Sequence, residues 1–463
     1  MRDLLLLASM LYLVPVAIVR PWVGILAWFW ISYFVPHSFT WGFGRRLPVA
    51  ALVGGATLLG FLFARERKPL PWTWSVILMF LFAVHMTLTT MLAFNPELAW
   101  VKWNWIAKGF LMTFVTMCLF QDVVRLRSLY MVPAICLGLL GLKGFLWVVR
   151  TGGGSRVFGP ELSFFADNNE FGLAVCMALP LMLYLARDET RTWLKRLLHV
   201  LFSVSIVAVL FTYSRGAFLG LATLLGVLIW RSPWRMRFAA GVLVAGLIVV
   251  PLAPQALKDR ILSIQAQESA ETRDGSAAGR IEAWTTAWRI AVAHPFAGEG
   301  FRALWNPEIW NEYFGYNSLN YTNYGYNSLA IRDVHSLYFE VLSEHGFLGF
   351  GLYIAIIVSA MATLAGVRRR WKGHAEYGYL AHYAEMNQLS LYPFLVAGTF
   401  LTFAYFDLFF LLVATSTILK VLSLRAEEAI AATTPPAALP ATVKAPAFIR
   451  RSSTPPQART KHA

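Results

Sequence analysis

The sequence predicts an all-α, polytopic integral membrane protein, and three observations carry that reading. Hydrophobic residues make up 57% of the chain and charged residues only 14%. The apolar positions gather in runs of roughly 16 to 25 residues, the length a helix needs to cross a bilayer. The basic residues fall between those runs in short clusters, as topology signals do. A net charge of +15 spread in this way suits anionic lipid headgroups better than nucleic acid, and no base-reading motif is present. Cys118, Cys136 and Cys176 lie inside apolar runs and read as packing residues. Neither a disulfide framework nor a thiolate metal site is expected.

Taken in order, Leu4 to Val19 and Trp22 to Val35 are short apolar pieces broken at Pro15 and Pro21, expected to cross the bilayer a net single time. Met1, Arg2 and Asp3 lead into the first run with no small-residue cleavage site, so it should stay in the membrane. Further runs lie at about 48 to 64, 73 to 93, 98 to 119, 129 to 149, 170 to 186, 197 to 213, 216 to 230 and 238 to 253. A polar stretch from Pro254 to Asp333 interrupts them. The apolar pattern resumes at about 334 to 366 and 388 to 424, the last being long enough for a hairpin turning near Asp407. The expected division is therefore membrane helices in 1–253, a loop in 254–333, membrane helices in 334–424 and a tail in 425–463. That tail is rich in Ala, Pro and Thr and is expected to be disordered.

Lys and Arg in short loops set the orientation. Arg65 to Lys68, Arg125 with Arg127, Arg187 to Arg196, Arg231 to Arg237 and Arg368 to Lys372 fall in alternate loops. Placing all of them inside yields about twelve crossings, with both termini cytoplasmic and Arg45 and Arg46 outside, against the rule. The same assignment gathers Arg150 to Asp167, Ser214 with Arg215 and the whole polar stretch on the outer face. Within that stretch, Ala256 to Ala270 and Gly279 to Ile290 read as amphipathic helices, the second carrying a Trp284 and Trp288 stripe suited to the membrane interface. His294-Pro295 ends it, and Gly298-Glu299-Gly300-Phe301-Arg302 reads as a turn. Gly315-Tyr316-Asn317-Ser318-Leu319 recurs as Gly325-Tyr326-Asn327-Ser328-Leu329. Such a repeat suits stacking on sugar rings as well as an aromatic belt.

Several residues are candidates for chemistry. Asp333 is expected to cap a helix, which places His335 in the first turn, where the positive end of the backbone dipole keeps an imidazole neutral and usable as a base. The plainer alternative is a histidine that satisfies a hydrogen bond at a helix end. Arg215, between two apolar runs, is costly unless it meets an anion or a water-filled cavity. Arg280 is expected to open the second loop helix, adding a bidentate fork to free backbone N–H groups. Arg156 and Arg302 are weaker members of the same set, and together they suggest a diphosphate ligand. Asp167, Asn168 and Asn169 either cap the next helix or contact an acceptor sugar, and Tyr338 is counted with the substrate-binding candidates. No DxD pattern, paired histidines or zinc-type spacing is seen on the outer side, so no metal is expected and arginine would have to neutralise a departing diphosphate.

Tyr213-Ser214-Arg215-Gly216-Ala217, Gly279-Arg280 with Trp284 and Trp288, His294-Pro295 with Gly298-Glu299-Gly300, and His335-Ser336 through Glu344-His345-Gly346-Phe347-Leu348-Gly349 together resemble the O-antigen ligase family of bacterial lipopolysaccharide assembly. That group also includes O-antigen polymerases and protein O-glycosylation ligases. The resemblance covers roughly residues 156 to 350 and lies in the order and membrane placement of the motifs. His335-Ser336 stands where the family often has His-Asn, and the early segments also look like ligases of exosortase-type systems. The resemblance implies a metal-independent, cofactor-free, inverting glycosyltransferase of the GT-C type in the bacterial inner membrane, with its active site facing the periplasm. It would move a glycan from undecaprenyl diphosphate to a sugar hydroxyl on lipid A core. His335 would be the general base, and Arg215 and Arg280 would bind the diphosphate. The rivals are an O-antigen polymerase or protein O-glycosylation ligase, with the same chemistry and another acceptor. A transporter or flippase of a polyprenyl-diphosphate lipid would be a different class, but no convincing inverted repeat supports it.

Overall fold

Apolar segments in lipid must satisfy their own backbone groups, and the chain does so with helices. The computed structural model describes residues 1–66, 68–232, 235–237, 240–241, 275–314 and 333–433. No strand occurs among the described residues. The first half comprises α1 (Arg2–Val19), α2 (Pro21–Phe34), α3 (Val49–Phe63), α4 (Trp74–Met91), α5 (Pro96–Leu119), α6 (Val123–Thr151), α7 (Asn168–Asp188), α8 (Thr192–Leu210) and α9 (Arg215–Arg231). After an undescribed stretch come α10 (Gly275–Ala293), α11 (Pro307–Phe314), α12 (Leu337–Trp371), α13 (Gly378–Ala397) and α14 (Asp407–Thr433). Seven of these, α1, α4, α6, α7, α8, α12 and α14, are long and apolar enough to cross a membrane by length and composition. The other members of the bundle are shorter, as α2 and α3 are, or more polar, as α5 is with Lys102 and Lys108. The chain is a multi-pass membrane protein.

Local sequence accounts for most boundaries. Pro15 stays inside α1, and the break falls instead at Arg20, because Pro21 opens α2 at a position where a missing N–H costs nothing. Asn95, Asp122 and Ser214 cap α5, α6 and α9 with side-chain oxygens. The C-terminal hairpin reverses through residues 398–406, and Asp407 begins α14. Helix α7 is buried along almost its whole length and packs against α6, α8, α9 and α13, making it the centre of the bundle. The expected helix at Ala256 to Ala270, the Gly315 and Gly325 repeat and the tail from residue 434 lie outside the described residues.

The charged clusters sort the bundle into two ends. At one end, Arg125 pairs with Glu66, Arg127 with Glu189, and both Arg231 and Arg368 with Glu385. At the other, residues 152–167, the α8–α9 turn, the 294–305 segment and the start of α12 come together. There the hydroxyl of Tyr213 donates to the carbonyl of Gly153, the Val157 N–H to Phe211 at 3.0 Å, and the Asn168 amide to Thr212 at 2.8 Å.

A glycine joins the loop to the bundle. Helix α12 is interrupted at Gly346, whose φ of 64° and ψ of −171° belong to a region essentially restricted to glycine. The Phe347 N–H donates to the Pro295 carbonyl at 2.7 Å, while Glu299 and Gly300 donate to the carbonyls of Ser343 and Glu344, both at 3.0 Å. A Cβ on Gly346 would lie 2.6 Å from the Pro295 oxygen. Gly346→Ala is therefore expected to destabilise the protein by about 1–3 kcal/mol from backbone strain alone, read as a lower thermal midpoint in detergent. An unchanged midpoint would mean the 295–300 turn moves aside at no cost.

Candidate functional site

The start of α12 differs from its sequence reading. Ser336, not Asp333, is the N-cap residue, and it makes no side-chain cap bond. His335 lies outside the first turn, with a left-handed backbone at φ 48°, and its N–H donates to the Thr402 hydroxyl at 2.9 Å. Asp333 accepts instead from the indole of Trp305 at 2.8 Å. The helix dipole is thus not what keeps the imidazole neutral. Desolvation holds His335 below the usual histidine value; Asp333 pulls it back up, Arg280 pushes it further down, and Asp167 raises it. The charges of Arg280, Asp333 and Asp167 thus act on a ring that is itself partly open to solvent.

Arg280 does not open its helix. The helix already runs at Gly275, so Arg280 sits more than a turn inside it, and free N–H groups at a helix start cannot assist its guanidinium. The docking of α10 onto α12 sets its position. Trp284 stacks on Phe339 at 5.3 Å and donates its indole N–H to the Val334 carbonyl at 2.9 Å. Trp284 is therefore partly buried against α12, whereas Trp288 remains half exposed.

Arg215 follows the Ser214 cap at the start of α9. The turn before it is built closely: Thr212 is buried and back-bonds to Val209 at 2.7 Å, and Tyr213 adopts a left-handed φ of 55°. Asn168 is buried and its side-chain amide donates to the Thr212 carbonyl of the same turn. Asp167 caps α7 and accepts both the backbone N–H and the side-chain amide of Asn169, at 2.9 and 2.7 Å. Although burial alone would raise it, those bonds hold its carboxyl below the usual value. The Tyr338 hydroxyl donates to the Leu395 carbonyl at 2.8 Å, tying α12 to the end of α13.

Between these elements lies a cavity of about 350 Å³, lined among others by Asp167, Arg302, Asp333, Thr402, Trp105 and Trp305. Arg302, itself at a left-handed φ of 61°, stacks its guanidinium over Trp305 at 4.8 Å. Arg156 lines a different cavity, on the far side of residues 158–166. Among the described residues five non-glycine residues have positive φ; of these Arg302 lines the cavity and His335 directly follows two residues that do. Such strain, about 1–3 kcal/mol each, persists where the surroundings over-determine it, and it concentrates at functional sites.

The floor of the cavity is a charge cluster that sequence reasoning missed. Lys102 of α5 donates to Glu340 at 2.9 Å and to Glu344 at 2.7 Å, both carboxylates being buried and the lysine side chain 12% exposed. The Tyr405 hydroxyl donates to Glu344 at 2.8 Å, the Arg302 N–H to Glu344 at 2.8 Å, and the Ala404 N–H to Glu340 at 3.0 Å. The 402–404 segment is thus held at one end by Glu340 and holds His335 at the other. A usable signal was present: Lys102 is an ionisable residue inside an apolar run, and Glu340 and Glu344 are spaced i,i+4 on one helix face.

Compared with known families, residues 200–354 match the O-antigen ligase family model, and residues 1–190 match a family of unknown function, DUF5935. No curated protein matches the chain. The first match contains Arg302, Glu340 and Glu344 and the second Lys102 and Asp167, so the cavity is lined from both; Arg215, Arg280 and His335 also fall in the first match but lie outside the lining. With its helical membrane architecture, the chain is similar through residues 200–354 to the O-antigen ligase family.

Proposed function

We propose that this protein is an O-antigen ligase that transfers a glycan from undecaprenyl diphosphate to a sugar hydroxyl of lipid A core, at the periplasmic face of the bacterial inner membrane. The observation that carries the reading is His335 on a left-handed backbone, bonded through its N–H to Thr402 of the cavity wall and lying within the fields of Arg280, Asp333 and Asp167. His335 accepts the proton of the acceptor hydroxyl as that oxygen attacks the anomeric carbon. Arg215 and Arg280 bind the diphosphate and stabilise the charge it gains as the sugar–phosphate bond breaks. Attack and departure occur on opposite faces of the sugar, so the anomeric centre inverts. Arg302, Trp305 and the carboxylates of Asp167 and Asp333 suit sugar rings and hydroxyls in the cavity between them. A neighbouring cavity of about 520 Å³, lined by Ile31, Val35, Leu58, Leu111 and Met112, suits a lipid chain. The stacked rings of Trp105 and Phe164 stand between the two cavities.

The reading is tested by reconstitution with purified undecaprenyl-diphosphate glycan and separate acceptors. Transfer to lipid A core is expected, and EDTA should leave it unchanged. Transfer only onto a second lipid-linked glycan would make the protein a polymerase. Arg215→Lys should lower turnover by at least about tenfold, because an ammonium cannot reproduce the two-pronged contact of a guanidinium with phosphate. Normal turnover in that variant would reduce Arg215 to a topology residue.

A further inference from the structure

A cavity of about 1100 Å³ lies beside the site, walled by α6, by residues 38–45 and by residues 155–161. Its charged lining is one-sided: Lys143, Arg150, Arg156 and Arg45 face a single carboxylate, Glu161. Glu161 is engaged by Arg45, and its field also reaches Lys143. Among the described residues, Lys143, Arg150 and Arg156 form no ion pair. Lys143 lies over the ring of Phe39 at 4.8 Å, within a helix of membrane-crossing length. An ammonium in that setting is expensive unless it meets water or an anion. The basic lining also stands at the end of the bundle opposite the Arg127 and Arg231 clusters, where the positive-inside rule does not call for it.

The rim has the composition of a headgroup layer. Trp41 is 83% exposed, Phe158 55% and Trp147 42%, and amphipathic aromatic rings favour that depth. The cavity also adjoins the proposed active site. Ala166 lines both cavities, and residues 153 and 157 bond directly to the Phe211–Tyr213 turn that carries Arg215.

We propose that this cavity binds the phosphate group of a lipid headgroup in the adjoining leaflet, with Lys143 and Arg156 as its anchors. Two sources share that chemistry: a phospholipid and a phosphorylated glycolipid acceptor, the second resting on the proposed function. The test uses the full chain in a phosphate-free maltoside detergent. It is titrated with phosphatidylglycerol, diacylglycerol, lipid A and dephosphorylated lipid A, with retention read by native mass spectrometry. At least one phosphate-bearing lipid is expected to bind about tenfold tighter than its phosphate-free counterpart, as loss of a charge-assisted contact implies. Lys143→Gln with Arg156→Gln should abolish that preference, while Lys143→Arg, which keeps the charge, should retain it. Preference for phosphatidylglycerol assigns the cavity to bulk lipid, and preference for lipid A alone assigns it to the acceptor. Equal binding of phosphate-free lipids, or a preference that survives the double substitution, overturns the site. No glycan moves in this measurement, so its failure counts against the cavity alone; a His335→Ala chain with no transfer and intact preference separates the two.

Discussion

His335→Ala is expected to lower glycan transfer by about 10²- to 10⁴-fold, the range that a positioned general base contributes, while lipid-linked donor still binds. The pH dependence gives a sharper reading than the loss itself. Only the neutral imidazole accepts a proton, so kcat/KM should rise with pH through the histidine's ionisation and level off above it. Because desolvation holds that ionisation below the ordinary value of 6.5, the limb should lie on the acid side of 6.5, with full activity at neutral pH. Arg280 disfavours the protonated ring and Asp333 favours it. Arg280→Gln should therefore move the limb to higher pH and Asp333→Asn to lower pH, apart from any loss in donor binding. A histidine that only fixes the chain would leave the acid limb in place in both variants. That outcome would remove His335 from the base role.

Lys102→Met should produce the largest loss of stability, about 3–5 kcal/mol, by leaving Glu340 and Glu344 buried without their cation. The cost arises from the stranded carboxylates, not from a missing attraction. Adding Glu340→Gln and Glu344→Gln to Lys102→Met should therefore recover most of the thermal midpoint in detergent. The two carboxylates also anchor Ala404, Tyr405 and Arg302, so the stabilised triple variant should still transfer poorly. A triple variant as unstable as the single one would show that packing, not charge burial, sets the cost.

Residue type at a membrane boundary made several candidates legible. Arg215, Arg280 and His335 stood out because charged or titratable groups are rare beside apolar runs, and each was recognisable without knowing its neighbours. Their local settings were less legible. Asp333 looked like a cap because it is an aspartate ahead of an apolar run, yet it accepts from Trp305, and the cap position passes to Ser336. Trp284 read as part of an interface stripe because its helix is amphipathic, and the structure also stacks it on Phe339 at the α12 entry. In both cases a distant part of the chain offered a partner that local patterning did not supply.

By itself the sequence determined the helical membrane class, the break at Pro21, the alternation that collects the basic loops at one end, and the residues with chemistry to offer. Those features follow from hydropathy, proline geometry and charge, which act within a few turns of helix. Only the tertiary structure decided that Lys102 meets Glu340 and Glu344, that Gly346 admits the 295–300 turn, and that Thr402 reaches His335. These contacts join positions up to about 240 residues apart, and their formation depends on how the helices pack, which no local pattern encodes.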